Sequence, residues 1–449
     1  MATSLRATSR RATVADFDAI VVGAGPAGSA AAIELARAGA SVCLIERGPY
    51  PGSKNMYGGV IYGRILDEII PEWWTEAPVQ RWVTRRATMI LTEDRALTVD
   101  YRSGAWGEPP YNGATAYRPD FDAWLAEHAV AAGATLVTST TVTGLLRDGD
   151  RADGAIVGVR TDRPDGDLTA RVVIACDGVN SFVAKEAGLY GEVDAANYTL
   201  GVKETIALPR EVIDERFGVR GDHGVDYEIM GCTGDVPGGG FIYTNADTLA
   251  VGLVLSLPAL ARGGVRPEEM LRRMKTHPAI APLVEGGEVT EYSAHVIPEA
   301  GFDMMPSMIA DGLLVAGDAA AMCLAAGIWL EGVNFAIGSG SAAGKAAARA
   351  IRRDDTTAAG LDSYRTRIEA SFVMKDHRKL RQAPHLVMGE LAQQKLPALA
   401  CGVAEAMFHV DNPHPKPGLR RIVARQMKAN GVRWRDAVSE GFRAWRTFG

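Results

Sequence analysis

FDAIVVGAGPAGSAAAIELARAGASVCLIERG, residues Phe17 to Gly48, is the stretch whose reading decides the fold. Apolar residues run from Ala19 to Val22, as a strand buried on both faces of a parallel sheet requires. Gly23, Gly25 and Gly28 follow in the order G-x-G-x-x-G, and an alanine-rich segment to Ala38 reads as a helix. A second apolar strand, Val42 to Ile45, ends at Glu46 and Arg47. Each glycine has a separate task in such a turn. Gly23 makes the tight bend, Gly25 lets the backbone approach a pyrophosphate, and Gly28 lets helix and strand pack closely. Pro26 and Ala27 open the helix, whose first N–H groups face the phosphates. Glu46, 23 residues beyond Gly23, stands where an acid accepts the hydroxyls of an adenosine ribose. A lone glycine triplet is a weak signal; strand, helix and terminal acid together make a dinucleotide site. The motif by itself does not choose FAD over NAD.

The rest of the composition narrows the class. The chain has 449 residues, a formal charge of −6 and an apolar fraction of 47%, ordinary for a soluble protein of two or three structural parts. Nothing in that balance points to nucleic acid. Five cysteines at 43, 176, 232, 323 and 401 are too scattered for a C-x-x-C metal set or a disulfide scaffold, and read as small buried hydrophobes. Residues 1–16 carry three arginines without the apolar core of a secretory signal, and read as a loose leader. The longest apolar run, Ala319 to Leu330, has 12 residues, short of the about 20 that span a bilayer. Membrane contact is therefore expected to be peripheral.

Along the chain, RGPYPGSKNMYGGVIYGRIL follows Glu46. Its glycines, Gly58 and Gly59 among them, describe a loop lying against an extended cofactor, with Ser53, Tyr57 and Tyr62 as polar candidates. A short helix is expected from Ile65 to Ile70, and Trp73, Trp74 and Trp82 read as packing at a domain junction. Ala87 to Tyr101 alternates as antiparallel strands. A helix is expected from Pro119 to Ala132, a strand over 135–138 and a hairpin of 142–146 with 155–160, Val142 opening it. Arg171 to Ala175 is a buried strand ending in Cys176-Asp177-Gly178. Strands at 199–207, 225–230, 240–244 and 249–255, then a charged helix from Pro267, read as an antiparallel sheet with helices on one side. Gly312 to Ala320 is a last parallel strand ending at Gly317-Asp318. A small-residue helix follows from Gly332, Val333 and Asn334 to Arg353, its glycines at 338, 340 and 344 allowing close backbone approach. The segment 416–449 carries nine basic and two acidic residues, so it is +7 and the remainder −13. A basic end on an acidic body suits docking to a partner or to anionic lipid.

The expected architecture is α/β. A Rossmann-like nucleotide domain from 17–75, 115–197 and 297–355 holds an inserted α+β domain from 76–114 and 198–296, with a helical basic region at 356–449. The Gly23–Gly28 motif with Glu46, the strand-terminal Gly317-Asp318 and the glycine-rich helix after it together point to FAD, because NAD enzymes have no need of the late element. With VVGAGPAGSAAA…ERG, PGSKNMYGG, YRPDFDAWL, ACDGVNS, LLVAGDAA, EGVNFAIGSG and LRRIVARQMKANGVRW, the chain resembles the electron-transfer flavoprotein–quinone oxidoreductases, most closely the FixC type, nearly end to end. These belong with the geranylgeranyl reductases and the aromatic hydroxylases built like p-hydroxybenzoate hydroxylase. The resemblance implies that Arg118 lies near the isoalloxazine and pyrophosphate, that Asp318 contacts FAD, and that the PGSKNMYGG loop approaches the flavin from the other side.

One departure is informative. Single-chain members of that family hold an iron–sulfur cluster through four C-terminal cysteines, whereas only Cys401 lies beyond Cys323 here. The resemblance then implies that the cluster resides on a ferredoxin-like FixX partner and that a FixA/FixB flavoprotein exchanges electrons with the complex. Electron transfer to quinone needs no nucleophile; the chain positions the flavin and excludes water. An apolar quinone slot is expected among Met304, Met305, Met308, Ile309, Met322, Leu324, Ile328, Trp329 and Leu330. His223, His277 and His295 are isolated and read as single structural histidines. Two alternatives stay open: an FAD reductase or monooxygenase of the geranylgeranyl-reductase type, which would need a closed cavity in 198–296, and a non-catalytic relay subunit, active only with partners.

Overall fold

The computed structural model describes residues 15–55, 58–151, 153–192, 194–299, 301–327 and 329–449. Strand β1 (Phe17–Val22), helix α1 (Pro26–Arg37) and strand β2 (Val42–Ile45) form the expected β–α–β unit. β1 lies at the centre of an eight-stranded sheet. It pairs in parallel with β2 on one side and with Leu168–Ala175 on the other; Thr135–Val137 and Leu313–Val315 extend the parallel ladder outward. Strands Val142–Arg147 and Ile156–Thr161 form the expected hairpin against the start of Leu168–Ala175.

The chain leaves this sheet twice to build another. Its first excursion, between β2 and helix Arg118–Ala131, supplies Gly59–Ile61, Val79–Leu91, Ala96–Arg102 and Ala114–Ala116. The second supplies the five strands from Tyr198–Ala207 to Glu288–Pro298. Together they make a nine-stranded sheet. Among the described residues its pairs are antiparallel except one: His223–Met230 runs parallel to Val79–Leu91, joining the two excursions. One face carries a separate apolar core, in which Ile213, Phe217 and Leu271 of the helices and Ile280 of the turn after them are fully buried. The tryptophans pack where the two sheets meet: Trp73 lies edge-on to Trp82, and Trp82 stacks on Tyr111 at 3.6 Å.

Helix Val333–Arg352 returns the chain to the first sheet and lies directly on α1. No side chain separates them at the crossing. A Cβ on Gly340 would stand 2.0 Å from the Ala27 carbonyl oxygen, and one on Gly344 2.5 Å from that of Ala31. Fourteen of the 20 residues of this helix are buried, and that packing offsets the roughly 1 kcal/mol that each helical glycine costs. Beyond it, helices from Ser363 onward form a third layer, tied down by the Tyr364 hydroxyl donating to the Val315 carbonyl at 2.9 Å. Gln393 ties the same layer to the second sheet, its Oε1 accepting from the Gly238 N–H at 3.0 Å.

Some expectations shift. The helix placed at 65–70 is a 3₁₀ helix, Gly63–Glu68. The last strand shortens to Leu313–Val315 because Gly317, at φ +69°, turns the chain out of the sheet. Asp16, placed in the leader, is fixed to the sheet edge: its N–H donates to Thr169 Oγ1 at 3.1 Å, and the Thr169 N–H returns to its carboxylate at 2.8 Å. The rest of that leader, 1–14, lies outside the described residues.

Gly340→Val tests the crossing. Its added methyls meet backbone that cannot step aside, so a loss of about 1–3 kcal/mol or more is expected, seen as a melting temperature several degrees lower. An unchanged melting temperature would show that the two helices can part at no cost.

Candidate functional site

A cleft of about 420 Å³ runs between the two sheets, starting at the turn after β1. Gly23, at φ +98°, packs so tightly on the next strand that its Cβ would meet the Cys176 carbonyl oxygen at 2.3 Å. Gly25 is different: a Cβ there would meet nothing within 4 Å, so no protein atom demands glycine. The open space beside it is the cleft. α1 begins with neither a side-chain cap nor an acidic residue in its first turn, which leaves the positive end of its dipole and its first N–H groups for an anion. Glu46 borders the same space, held at the strand end by the Ala24 N–H at 3.1 Å and the Gly48 N–H at 2.7 Å. Asp177 faces it with Oδ1 buried and without a hydrogen-bond partner, while Oδ2 accepts from the Val183 N–H at 3.0 Å. Burial raises this carboxyl, against the pull of that N–H. A bare turn, a ribose-directed acid and an unpartnered carboxyl oxygen fit the phosphate and adenosine end of a dinucleotide such as FAD.

Further along, charge is concentrated. Arg118 makes a two-point ion pair with Asp122, Nε and Nη2 each 2.8 Å from a carboxylate oxygen, and Asn55 Nδ2 donates to Asp122 at 2.8 Å. Burial disfavours the Arg118 charge, but Asp122 outweighs it and the guanidinium is held above its ordinary value. Asp318, on the turn after the last parallel strand, is raised by burial and opposed by Arg118 and then His295. Burial holds His295 below the usual imidazole value. Lys203 is almost fully buried, donates to the Gly58 carbonyl at 3.2 Å, and is pushed down to about 8 by burial. Arg118, His295 and Asp318 all border the cleft, and Lys203 braces the loop that forms its opposite wall.

Of the residues singled out in the sequence, Gly23, Gly25, Pro26, Ala27, Glu46 and Arg47 line the cleft, as do Gly58, Gly59, Arg118, Val142, Asp177 and Gly178, and Asp318, Gly332 and Val333. Four stand behind it. Gly28 supports Gly23, where a Cβ would fall 1.8 Å from its carbonyl oxygen; Gly317 packs on Ala27; and Ser53 crowds Gly48. Asn334 donates to Glu331 at 2.5 Å. Tyr57 lies outside the described residues. Tyr62 does not line the cleft; its ring packs beneath the Arg86 guanidinium at 5.8 Å. His223 and His277 lie away from it, His277 bonded to the Thr92 carbonyl and the Ala279 N–H. His295 is a miss: an isolated histidine in sequence, it reaches the cleft because its strand pairs with Tyr198–Ala207. Asp122 was also overlooked, although its i, i+4 spacing from Arg118 was visible.

A second cavity, about 1420 Å³, adjoins the first. Phe241, Val254, Glu299, Ala325 and Leu330 line both. Its walls are Gly238–Gly240, the start of a central strand of the second sheet, and the C-terminal helices, including the inner face of Trp434–Phe448. This corrects the expected quinone slot. Leu324 and Leu330 do border the cleft, but Met322 is fully buried in the core, Met305, Met308 and Ile309 pack against that core, and Met304 lines neither cavity. Trp329 packs on Phe448 at 5.9 Å, and Ile328 lies outside the described residues. Apolar composition drew attention to a run that the fold consumes as core.

Comparison with known proteins agrees with this geometry. Residues 16–215 match the family described as FAD binding domain, and residues 198–297 match that described as ETF-QO, ubiquinone-binding. Protein FixC of Escherichia coli K12 is 41% identical over 418 residues, covering 93% of this chain and 96% of that protein. The probable electron transfer flavoprotein-quinone oxidoreductase YdiS of the same strain is 39% identical over 417 residues, covering 93% and 96%. Among solved structures, a geranylgeranyl bacteriochlorophyll reductase-like protein of Thermoplasma acidophilum shares the fold at a TM-score of 0.70 and 22% identity, covering 92% of this chain and 97% of that one. The flavin-dependent brominase Bmp2 shares it at 0.64 and 16%, covering 95% and 99%.

Asp122→Asn keeps the shape beside Arg118 and removes the charge that aims it. Losing a charge-assisted pair of about 1.5–3 kcal/mol predicts FAD affinity weaker by roughly 10- to 100-fold, read by equilibrium dialysis of the yellow protein. Undiminished affinity would show that Arg118 holds its place without Asp122.

Proposed function

The chain belongs to the FixC-type electron-transfer flavoprotein–quinone oxidoreductase family, and from that membership we propose how its cleft, second cavity and C-terminal helices divide the work. It is an FAD-dependent oxidoreductase that passes electrons toward quinone. When bound, the flavin supplies reversible uptake and release of electrons. The chain supplies the rest. The α1 turn and Glu46 hold the nucleotide end; Arg118 and Asp318 fix the middle; and the ring end meets Phe241, Val254 and Leu330, the partition shared with the second cavity.

That shared partition is the observation that carries the proposal. A quinone head entering the second cavity reaches the flavin side across the apolar side chains of Phe241, Val254, Ala325 and Leu330, and residues 228–230, 238–241 and 254 of its wall fall within the ubiquinone-binding match. Its tail runs toward the C-terminal helices. There Trp434, Val438, Phe442 and Trp445 recur at intervals of four, four and three, and are 63%, 67%, 57% and 70% exposed. They make one apolar face of an amphipathic helix whose flanks carry Arg433, Arg435, Arg443 and Arg446. Aromatic residues over arginines suit an anionic bilayer surface, where such a helix lies in the interface. No described helix is long and apolar enough to cross a membrane. The reading is thus peripheral attachment at the cytoplasmic face, with quinone drawn from the bilayer beneath Trp434–Phe448.

Electrons arrive, in this proposal, from a FixA/FixB-type electron-transfer flavoprotein, and a FixX-type ferredoxin-like subunit holds the iron–sulfur centre. What supports the second partner is the single cysteine beyond Cys323, three short of a cluster's four ligands.

The combined substitution Trp434→Ser, Phe442→Ser, Trp445→Ser tests the attachment. Each exposed side chain contributes about 1.5–3 kcal/mol when it enters the interface, so binding to anionic vesicles falls by tenfold or more in co-sedimentation. In the reconstituted complex, reduction of a long-tailed quinone loses apparent affinity while a short water-soluble analogue is turned over as before. Equal vesicle binding by the variant would reject the surface; no quinone-dependent rate in the full complex would reject the acceptor.

A further inference from the structure

Glu299 stands at the end of strand Glu288–Pro298 and is one of the five residues that line both cavities. Of those five it alone carries an ionisable group. The other four are phenylalanine, valine, alanine and leucine, so an otherwise apolar partition holds one carboxyl. Resting on the quinone reading above, we propose that Glu299 is the acid that delivers protons to the quinone as electrons cross this partition.

The chemistry requires such a group. A quinone becomes a quinol by gaining two electrons and two protons; the electrons come from the reduced flavin, which the family's activity supplies. Electrons entering the head group at the apolar partition put negative charge on its carbonyl oxygens, and unneutralised charge in an apolar setting is costly. The Glu299 O–H bond breaks as an O–H bond forms on one carbonyl oxygen. Water reaching the second cavity returns a proton to the carboxylate, which passes it to the other oxygen. A neutral carboxylic acid is the form a buried partition tolerates, and burial pushes Glu299 up to about 7, opposed only by Thr199. It is therefore charged and uncharged in comparable amounts near neutrality, as a proton donor must be.

Its surroundings leave it that freedom. Cys323 and Glu331 lie on the cleft side, with His295, Asp318 and Arg118 further along, and burial raises both Cys323 and Glu331. His377 packs behind, near Gly301, and burial lowers it toward the neutral form. In the second cavity the ionisable neighbours are Glu228, Lys379, Arg381, His385, Glu390 and Lys395, with Arg433, Asp436, Glu440, Arg443 and Arg446 at and along the last helix. Glu228 is the competing acid, but it is paired with Arg86, which also holds Asp226 at 3.1 Å. Burial raises that pair of carboxyls together, yet an ion pair to a guanidinium fixes Glu228 in place on the strand. Glu228 also lines only the second cavity.

The test compares FAD-loaded wild type, Glu299→Gln and Glu299→Asp after reduction. Two acceptors are used: a short-chain quinone, which needs protons, and ferricyanide, which takes electrons alone. Glu299→Gln is expected to slow quinone reduction by about 100-fold, and to lose the fall in rate that wild type shows as pH rises through about 7. Ferricyanide reduction, which takes no proton, falls by a far smaller factor than quinone reduction, and Glu299→Asp restores part of the quinone rate. Folding provides a readout independent of turnover. A carboxyl raised in the folded state contributes stability that is complete below its unfolded value, about 4.3, and is lost as pH rises through about 7. Glu299→Gln flattens that loss in melting temperature. Quinone reduction by Glu299→Gln within about twofold of wild type, with the pH limb intact, overturns the proposal. If wild type reduces ferricyanide but no quinone, the quinone reading falls and takes the proposal with it.

Discussion

Backbone touches backbone where helix Val333–Arg352 crosses α1, and the rest of the molecule is arranged on that contact. A side chain at Gly340 or Gly344 would drive the helices apart, because the obstacle is carbonyl oxygen and not a mobile tip. Their closeness fixes two things at once. It holds the start of α1, where phosphate-directed N–H groups gather, and it sets the start of the long helix, Gly332 and Val333, on the opposite flank of the cleft. Gly317 packs on Ala27 in the same seam, so Asp318 is placed by the same contact. Small residues are used here for precision of position, at a cost in helix propensity that dense packing offsets.

The cleft shows a division of labour between charge and its absence. Toward the nucleotide end, acids and N–H groups are fixed by short backbone hydrogen bonds, as at Glu46. In the middle, Arg118, Asp122 and Asn55 form a connected group in which each member holds the next. At the ring end the walls become apolar, apart from Glu299 and Glu331. An electron-transfer protein requires this gradient: polar anchors remote from the reacting atoms, and a dry setting near them in which potential is tuned and oxygen kept out.

Much of the α/β framework was legible because it rests on local pattern. The G-x-G-x-x-G turn, its flanking strands, Glu46 and the strand-terminal Gly317-Asp318 all declare themselves within a few residues, and buried parallel strands leave unbroken apolar runs. The FAD assignment followed from combining those local signals. What sequence did not reveal depends on contacts between distant segments. His295 is an ordinary histidine until its strand pairs with Tyr198–Ala207 and turns it toward Asp318. The Met304–Met308 run was apolar for the sake of the core, and nothing local separates a core methionine from one lining a cavity. The second cavity itself has no sequence signature, since it is the gap left between interior strands of the second sheet and helices that lie far along the chain.

The one parallel pairing among the described residues of the second sheet has a consequence for how the protein is made. Strand Val79–Leu91 is set beside His223–Met230, with Trp82 against His223 and Ile90 against Met230, so the edge offered by the first excursion stays open until the second has emerged. During synthesis the early strands must wait through the return to the nucleotide domain before their neighbour exists. Long-range pairings of this kind close slowly, and an unpaired edge is a site for wrong partners. The nucleotide fold, meanwhile, also lacks Leu313–Val315 and the helix that seats α1 until late in the chain. Neither half can finish alone, and assembly of the cleft is therefore a late event of folding, one that waits for Leu313–Val315 and Val333–Arg352.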